Sequence, residues 1–388
     1  MPDPQHTQVV VLGGGYAGTV AVNRLRRRPD IDITLVNPRA EFVERIRLHQ
    51  LVAGTGSATV PYSSLLGDGV RLVVDTAVRI DTSARAVELA AGGALPYDYL
   101  VYAVGSTAGD TAPVPGAAEY AYSVAELEQA HRLREAIDGL RPDTPVTVVG
   151  AGLTGLETAT ELAESGRPVR LLCGGLLGPS LSAPGRRSVA RRLARLGVDV
   201  RESAVVAEVR ADAVVLGDRT VLPSPVTIWT AGFGVPELAR ASGLHTDALG
   251  RLITDETLTS IDDDRVIAAG DAAAPSGQPL RMSCQSATPL GAQAADTVLN
   301  RIAGARPTPI DQAFIGSCVS LGRRGAIVQA ARRDDTPVNV FLAGRVAAAV
   351  KETICRSTLW QIRREAAKPG SAVWLKGGRK AVEPESVT

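Results

Sequence analysis

Apolar and glycine-rich stretches alternate along the chain in a pattern that occurs twice. Residues 8 to 13, QVVVLG, are an apolar, β-branched run ending in glycine, which predicts a parallel strand buried on both faces. Next comes Gly13-Gly14-Gly15-Tyr16-Ala17-Gly18, a G-x-G-x-x-G, and then TVAVNRLRRR, where Val20, Ala21 and Leu25 recur at helical spacing. IDITLVN supplies a second strand. The same order returns in PVTVVGAGLTGLETATELAESGRPVRLLC, with Gly150-Ala151-Gly152-Leu153-Thr154-Gly155 between an apolar strand and a helix that carries Glu157. Strand, glycine loop, helix and second strand within about 30 residues predict a dinucleotide-binding βαβ unit, here duplicated.

Each glycine has its own task in such a unit. The first (Gly13, Gly150) permits the tight turn, the second (Gly15, Gly152) lets the backbone approach a pyrophosphate, and the third (Gly18, Gly155) allows close helix-to-strand packing. Tyr16, Ala17, Leu153 and Thr154 lie in the same turns, where a helix N-terminus receives negative phosphates. Two such units imply two dinucleotides, and the chemistry that needs both is electron transfer between a nicotinamide and a flavin. An acid usually follows the motif by about 20 residues to bind the adenosine ribose. In the first unit that place is taken by Asn37, which still bonds a hydroxyl, with Arg39 beside it; a plain turn residue is the other reading of Asn37. In the second unit the strand ends at Cys173-Gly174-Gly175 with no acid, and Arg186 and Arg187 follow, so NADH and NADPH stand level as donors.

Composition narrows the class. A chain of 388 residues that is 45% hydrophobic predicts two or three domains, and a formal net charge of +1 gives no reason to expect nucleic acid. The start, MPDPQHTQVVVLGGG, has no basic n-region or separate apolar h-region, and no apolar run reaches the ~18 residues of a membrane span. The four cysteines, Cys173, Cys284, Cys318 and Cys355, form neither a C-x-x-C pair nor a zinc-like set. Reduced thiols in a cytoplasmic protein, with no metal, are expected.

Three further segments, LPYDYLVYAVGS (95 to 106), VTIWTAGFGVPEL (226 to 238) and VIAAGDAAA (266 to 274), complete a resemblance to the two-dinucleotide-binding-domain flavoproteins. These comprise pyridine nucleotide:disulfide reductases, type II NADH:quinone oxidoreductases and apoptosis-inducing-factor-like proteins. The resemblance implies an α/β fold of two Rossmann-like domains, for FAD (1–112 with 240–304) and NAD(P)H (113–239), plus a small C-terminal α+β domain (305–388) with a basic tail. It assigns Gly13, Gly15, Gly18, Ala103, Gly105, Gly270 and Asp271 to FAD. Gly150, Gly152, Gly155, Glu157, Cys173, Ala231 and Gly232 go to NADH or NADPH.

The disulfide-reductase branch needs a cysteine pair where this chain reads EFVERIRLHQLVAGTG, and no cysteine stands there. That stretch is similar instead to the quinone-reductase branch. It implies hydride transfer from nicotinamide C4 to flavin N5 and then two electrons to a quinone-like acceptor. His49 becomes a candidate proton source at the acceptor, with a structural histidine the alternative. RMSCQSATPLGAQAADTVLN (281 to 300) resembles the helix whose N-terminus points at the flavin ring, with Pro289 and Leu290 as contact backbone and Gln293 near the acceptor.

FIGSCVSLGRRGAIVQA reads as two strands with a turn near Gly322. Between residues 351 and 380 lie Lys351, Arg356, Arg363, Arg364, Lys368, Lys376, Arg379 and Lys380, with Trp360 and Trp374 among them. Such a patch suits peripheral contact with an anionic membrane; a solvated helix packing two tryptophans on the body is the other reading. The partners implied are a small-molecule acceptor or a small redox protein docking on Arg45, Arg47, Arg323 and Arg324, and a homodimer is allowed. A biosynthetic flavoenzyme and a non-enzymatic flavin redox sensor remain as rivals.

Overall fold

The computed structural model describes residues 6–109 and 113–378; Arg379 and Lys380 of the basic tail lie outside the described residues. The chain opens with β1 (Thr7–Leu12), α1 (Tyr16–Leu25), β2 (Ile31–Asn37), α2 (Leu48–Ala53), β3 (Val70–Val74) and β4 (Tyr99–Tyr102). The middle region contributes β5 (Ala121–Ser123), β6 (Val146–Val149), α3 (Leu153–Glu164), β7 (Val169–Leu172), α4 (Ala183–Arg195), β8 (Asp199–Arg201) and β9 (Thr227–Trp229). Then follow β10 (Val266–Ala268), α5 (Cys284–Ile302), β11 (Gly316–Ser320), β12 (Ala326–Ala331), β13 (Pro337–Gly344) and α6 (Arg345–Ala367).

The two expected units form two sheets of one design. The first runs β10–β4–β1–β2–β3 and the second β5–β9–β6–β7–β8, with every pair parallel. In each, the strand that precedes the glycine loop is central, its successor lies on one side, and a strand from much later in the chain lies on the other. Val9 and Val11 are buried under α1 and α5 on one face of the sheet, and Val10 and Leu12 on the other under antiparallel strands between residues 77 and 96, which is why the run reads as continuously apolar rather than alternating.

All ten residues of α1 are buried, because α5 and α6 both pack on it. Small residues set that approach: a Cβ on Gly291 of α5 would lie 2.1 Å from the carbonyl oxygen of Ala17. Fully burying side chains such as Val20 and Leu25 stabilises by about 1.5–3 kcal/mol each.

The C-terminal region is an antiparallel sheet, β11–β12–β13, carrying α6. The two expected strands are present, and β13 is a third that the sequence pattern did not announce. Its residues are largely exposed at a sheet edge, so no apolar alternation marks it. Arg24 of α1 ties this region down, pairing with Asp296 of α5 at 2.8 Å and Glu365 of α6 at 3.4 Å. The fully buried Glu365 also accepts the backbone N–H of Gly370 and Ala372, both at 2.6 Å, so its charge is compensated. The tryptophans part company. Trp374 packs against the buried cluster around α1 and α5 and donates to the Asp311 carbonyl at 2.9 Å, whereas Trp360 is exposed.

Candidate active site

A cleft of about 1890 Å³, measured to its open mouth, lies at the carboxyl ends of the first sheet, where open α/β sheets place ligands. The β1–α1 loop forms one wall. Gly13 has φ +95°, and a Cβ there would be 2.4 Å from the Ala103 oxygen. A Cβ on Gly18 would come within 1.9 Å of the Gly13 oxygen, while around Gly15 there is nothing within 4 Å. The three glycines therefore divide into a turn, an open backbone face and a packing contact. Below the loop, Asn37 accepts from Gly14 N at 2.9 Å and donates to the Arg39 oxygen at 2.8 Å, and Tyr62 donates to the Gly14 oxygen at 2.7 Å. Asn37 thus supports the loop through both halves of its amide. Arg39 lines the cleft while pairing with Glu128 of the second module.

The far wall comes from β4 and β10. Asp271, delivered after β10, accepts from Ser106 Oγ at 2.7 Å and from Ser283 N at 3.2 Å, which fixes it between Gly105 and the start of α5. Arg45 donates to the Ser106 oxygen at 2.7 Å and, across the modules, to the Ala125 oxygen at 3.0 Å. Burial lowers its pKa, with Asp271 opposing that shift. Arg45 is therefore a cation of the cleft wall, a role the sequence reading missed when it placed the residue on a docking face.

The helix expected beside the flavin begins at Cys284, and the residues that line the cleft at its start are Met282, Ser283, Cys284 and Ala287. Pro289, Leu290 and Gln293 do not line the cleft. They lie more than a turn inside α5, where Leu290 is in the core and Gln293 donates to the Thr308 oxygen at 2.8 Å. The physical reason is that a helix leaves only its first four N–H groups free, so its positive end is at 284 to 287.

In the second module the glycine geometry repeats. Gly150 has φ +107°, nothing lies within 4 Å of a Cβ on Gly152, and one on Gly155 would be 1.8 Å from the Gly150 oxygen. Thr154, Glu157 and Gly232 reach the shared cleft; Gly150, Gly152, Leu153, Gly155, Cys173 and Ala231 stand outside it. Burial pushes the Cys173 thiol up to about 11, and the charge of Glu202 adds to this.

Glu157 takes a different position from the one expected at the nucleotide. Its Oε1 is 3.1 Å from Lys351 Nζ and accepts from Ser320 N at 2.9 Å, and Oε2 is 3.7 Å from His49 Nδ1. Burial is the largest influence on the carboxyl and raises it, but Lys351, His49 and the Ser320 N–H together outweigh burial and hold Glu157 below its ordinary value. Glu157 in turn keeps Lys351 above its own ordinary value, against burial. His49 is 3% exposed, burial pushes it down to about 4, and its Nε2 has no hydrogen-bond partner among the described residues. It is a neutral imidazole at the cleft wall.

Glu157, Glu161 and Glu164 follow one face of α3, and all three engage the C-terminal region or its approach: Lys351, Arg323, and the backbone N–H of Arg323 and Arg324. Their i, i+4, i+7 spacing was the signal, visible in the sequence, that this helix face meets cations. The basic-tail reading is corrected at Lys351, which is buried, and the docking-face reading at Arg47, which pairs with Glu44 and Glu352. Of the four arginines expected on a docking face, only Arg323 and Arg324 are exposed.

A second cleft of about 940 Å³ opens beside α6, lined by Lys351, Cys355, Gln50, Ser320, Arg323 and Arg345 among others. Among the described residues no group of side chains could hold a metal ion, and no helix is long and apolar enough to cross a membrane.

Known proteins share this architecture. The structure resembles the sulfide:quinone oxidoreductase of Aquifex aeolicus (TM-score 0.78, 21% identity, 94% of this chain and 93% of that one). It also resembles NDH2 of Plasmodium falciparum (TM-score 0.78, 16% identity, 93% and 97%). In sequence it is 31% identical over 353 residues to an NADH dehydrogenase-like protein of Mycobacterium tuberculosis, covering 83% of this chain and 87% of that protein. It is 27% identical over 394 residues to the type II NADH:quinone oxidoreductase of Staphylococcus haemolyticus, covering 92% and 96%. Residues 7–291, both glycine loops included, match the model of the pyridine nucleotide-disulphide oxidoreductases. The chain belongs to that family of flavin-dependent oxidoreductases driven by a pyridine nucleotide.

Proposed function

We propose that this enzyme takes electrons from a nicotinamide nucleotide on the second module, through FAD in the cleft of the first, to a quinone-like acceptor that enters by the second cleft. FAD, when bound, supplies the two-electron carrier between hydride donor and acceptor. The residues fit it: Gly15 leaves bare backbone for a pyrophosphate, and α1 has no acid in its first turn. Asp271 and Arg45 supply fixed polar groups, and the first N–H groups of α5 stabilise negative charge that develops beside them. Gly150, Gly152, Leu153, Thr154, Gly155, Cys173, Ala231 and Gly232 frame the nucleotide.

The observation that carries the acceptor is a partition. Lys351 lines the second cleft, Glu157 and His49 line the first, and the 3.1 Å Lys351–Glu157 pair stands between them. Lys351 donates to Glu157 and, at 3.3 Å, to the Cys318 oxygen, so an acceptor oxygen beside it would meet the remaining N–H of the ammonium, which stabilises negative charge on the reduced acceptor while solvent supplies the two protons of the quinol. Glu157 accordingly moves from the nucleotide to this partition.

The outer face supports a membrane-dissolved acceptor. Val346, Val350 and Ile354 follow one face of α6, Val340 and Leu342 continue it on β13, and all five are exposed. Arg323, Arg324, Arg345 and Arg356 are also exposed. Apolar side chains with arginines suit the surface of an anionic bilayer. A small redox protein is left with a narrower basic face than the sequence suggested.

Anaerobic stopped-flow tests the reading. Flavin absorbance is expected to bleach rapidly with a nicotinamide nucleotide and to return rapidly on adding a soluble quinone. Fast bleaching with sluggish return would move the acceptor to a protein carrier or a specific metabolite.

A further inference from the structure

The second module lacks an acid at the end of β7, but the fold brings one there from the neighbouring strand. β8 pairs in parallel with β7, with Leu172 opposite Arg201. The backbone continues the contact: Cys173 N donates to the Arg201 oxygen at 3.0 Å, Gly174 N to the Ala204 oxygen at 3.1 Å, and Ser203 N to the Gly175 oxygen at 3.0 Å. The turn after β8 is thereby held beside Cys173-Gly174-Gly175. Glu202 is in that turn, exposed, with its Oε2 accepting from Leu177 N at 3.4 Å. Nothing lies within 4 Å of a Cβ on Gly174 or Gly175, so the space beside the carboxylate is open.

Two further features bear on specificity. Ser203 adopts φ +60°, a left-handed conformation that a non-glycine residue holds at a cost of about 1 kcal/mol or more, and its N–H bond to the Gly175 oxygen keeps the turn that carries Glu202 beside the strand end. Three nearby arginines are engaged elsewhere: Arg170 and Arg201 both pair with Asp199, and Arg186 donates to the Leu181 oxygen at 2.9 Å. Arg187 is exposed, and the strand end presents a carboxylate with three of its neighbouring arginines already committed.

We infer that Glu202 accepts the hydroxyls of the adenosine ribose and makes NADH the preferred donor. A carboxylate accepts both hydroxyls of an unphosphorylated ribose, whereas a 2′-phosphate in the same place meets like charge and loses those hydrogen bonds. The inference rests on the assignment of the nicotinamide nucleotide to the second module.

The test is calorimetric titration of the FAD-loaded protein with ADP-ribose and with its 2′-phosphate, neither of which carries a nicotinamide. The wild-type protein is expected to bind ADP-ribose about tenfold or more tightly than the 2′-phosphate, and Glu202→Gln to weaken ADP-ribose about five- to tenfold while tightening the 2′-phosphate. The same variant should raise KM for NADH and leave kcat unchanged. A Glu202→Gln protein that keeps the wild-type ratio, or a wild-type protein that favours the 2′-phosphate, overturns the role of Glu202. Failure of both ligands to bind wild type, with FAD retained, overturns the module assignment instead. Because Glu202 is exposed, the variant's melting temperature should match wild type.

Discussion

The two glycine loops are near copies, and their surroundings are not. In each, the first glycine has positive φ, the second faces open space, and the third packs on the first. After β2, Asn37 turns inward to hold the first loop; the second loop is held instead by Thr230, which follows β9 and donates to the Gly150 oxygen at 3.1 Å, while the residues after β7 bond to backbone of the turn after β8. α1 is enclosed by two other helices, while α3 carries a line of carboxylates to the C-terminal region. The difference teaches that the glycines make a loop competent for a pyrophosphate, and that the neighbours of the loop decide what else the module does.

The largest effect should come from breaking one loop at a time. Gly15→Val is expected to leave a folded, colourless protein with FAD content below about a tenth of wild type, because the new side chain fills ligand space and no protein atom lies within 4 Å of its Cβ. Gly152→Val should stay yellow and lose nicotinamide-driven bleaching. Fully flavinylated Gly15→Val protein, judged by its visible spectrum, would reverse the assignment of the modules.

Next is the partition, which only the second module supplies. Lys351→Met leaves Glu157 buried without its cation, so chemical denaturation should show a loss of about 3–5 kcal/mol. In stopped-flow, reoxidation by quinone should slow while bleaching by the nucleotide persists. Adding Glu157→Gln should restore much of the stability, since neither charge is then buried alone; no recovery would count against the pair.

A smaller effect concerns acid. His49 is pushed down to about 4 in the fold, below the ordinary value of about 6.5, so between those values the unfolded chain binds a proton that the folded one refuses. Stability should fall as pH drops through this window, by about 3 kcal/mol at most, and His49→Gln should flatten that limb of the curve. Glu157, held low, contributes in the same direction but loses its stabilisation only as pH falls through its own depressed value. An unchanged acid limb in His49→Gln would mean that another group sets it.

The smallest effect should be at the surface. Replacing Val346, Val350 and Ile354 by serine is expected to reduce co-sedimentation with anionic lipid vesicles while leaving soluble-quinone turnover near wild type. Equal sedimentation of the two proteins would remove α6 from any membrane contact.

Much of the architecture was legible from local pattern. QVVVLG and the G-x-G-x-x-G announce a buried strand and a bare loop because strand burial and glycine conformation are decided within a few residues. The pattern also singled out His49, Asp271 and the 281 to 300 helix, which line the first cleft, but Cys284 rather than Pro289 lies in the first turn of that helix. The β13 edge strand, largely exposed and without alternation, gave no signal.

What the sequence by itself determined, then, is the duplicated dinucleotide fold and the residues that any such loop must contain. Tertiary structure alone decided that Glu157 meets Lys351 and Ser320, 194 and 163 positions away, that Arg45 crosses to Ala125, and that Glu202 stands beside a strand end that has no acid of its own. The physical reason is that backbone geometry follows from neighbouring residues, whereas the partner of a buried charge is whichever side chain the packing of distant elements brings within a few ångströms.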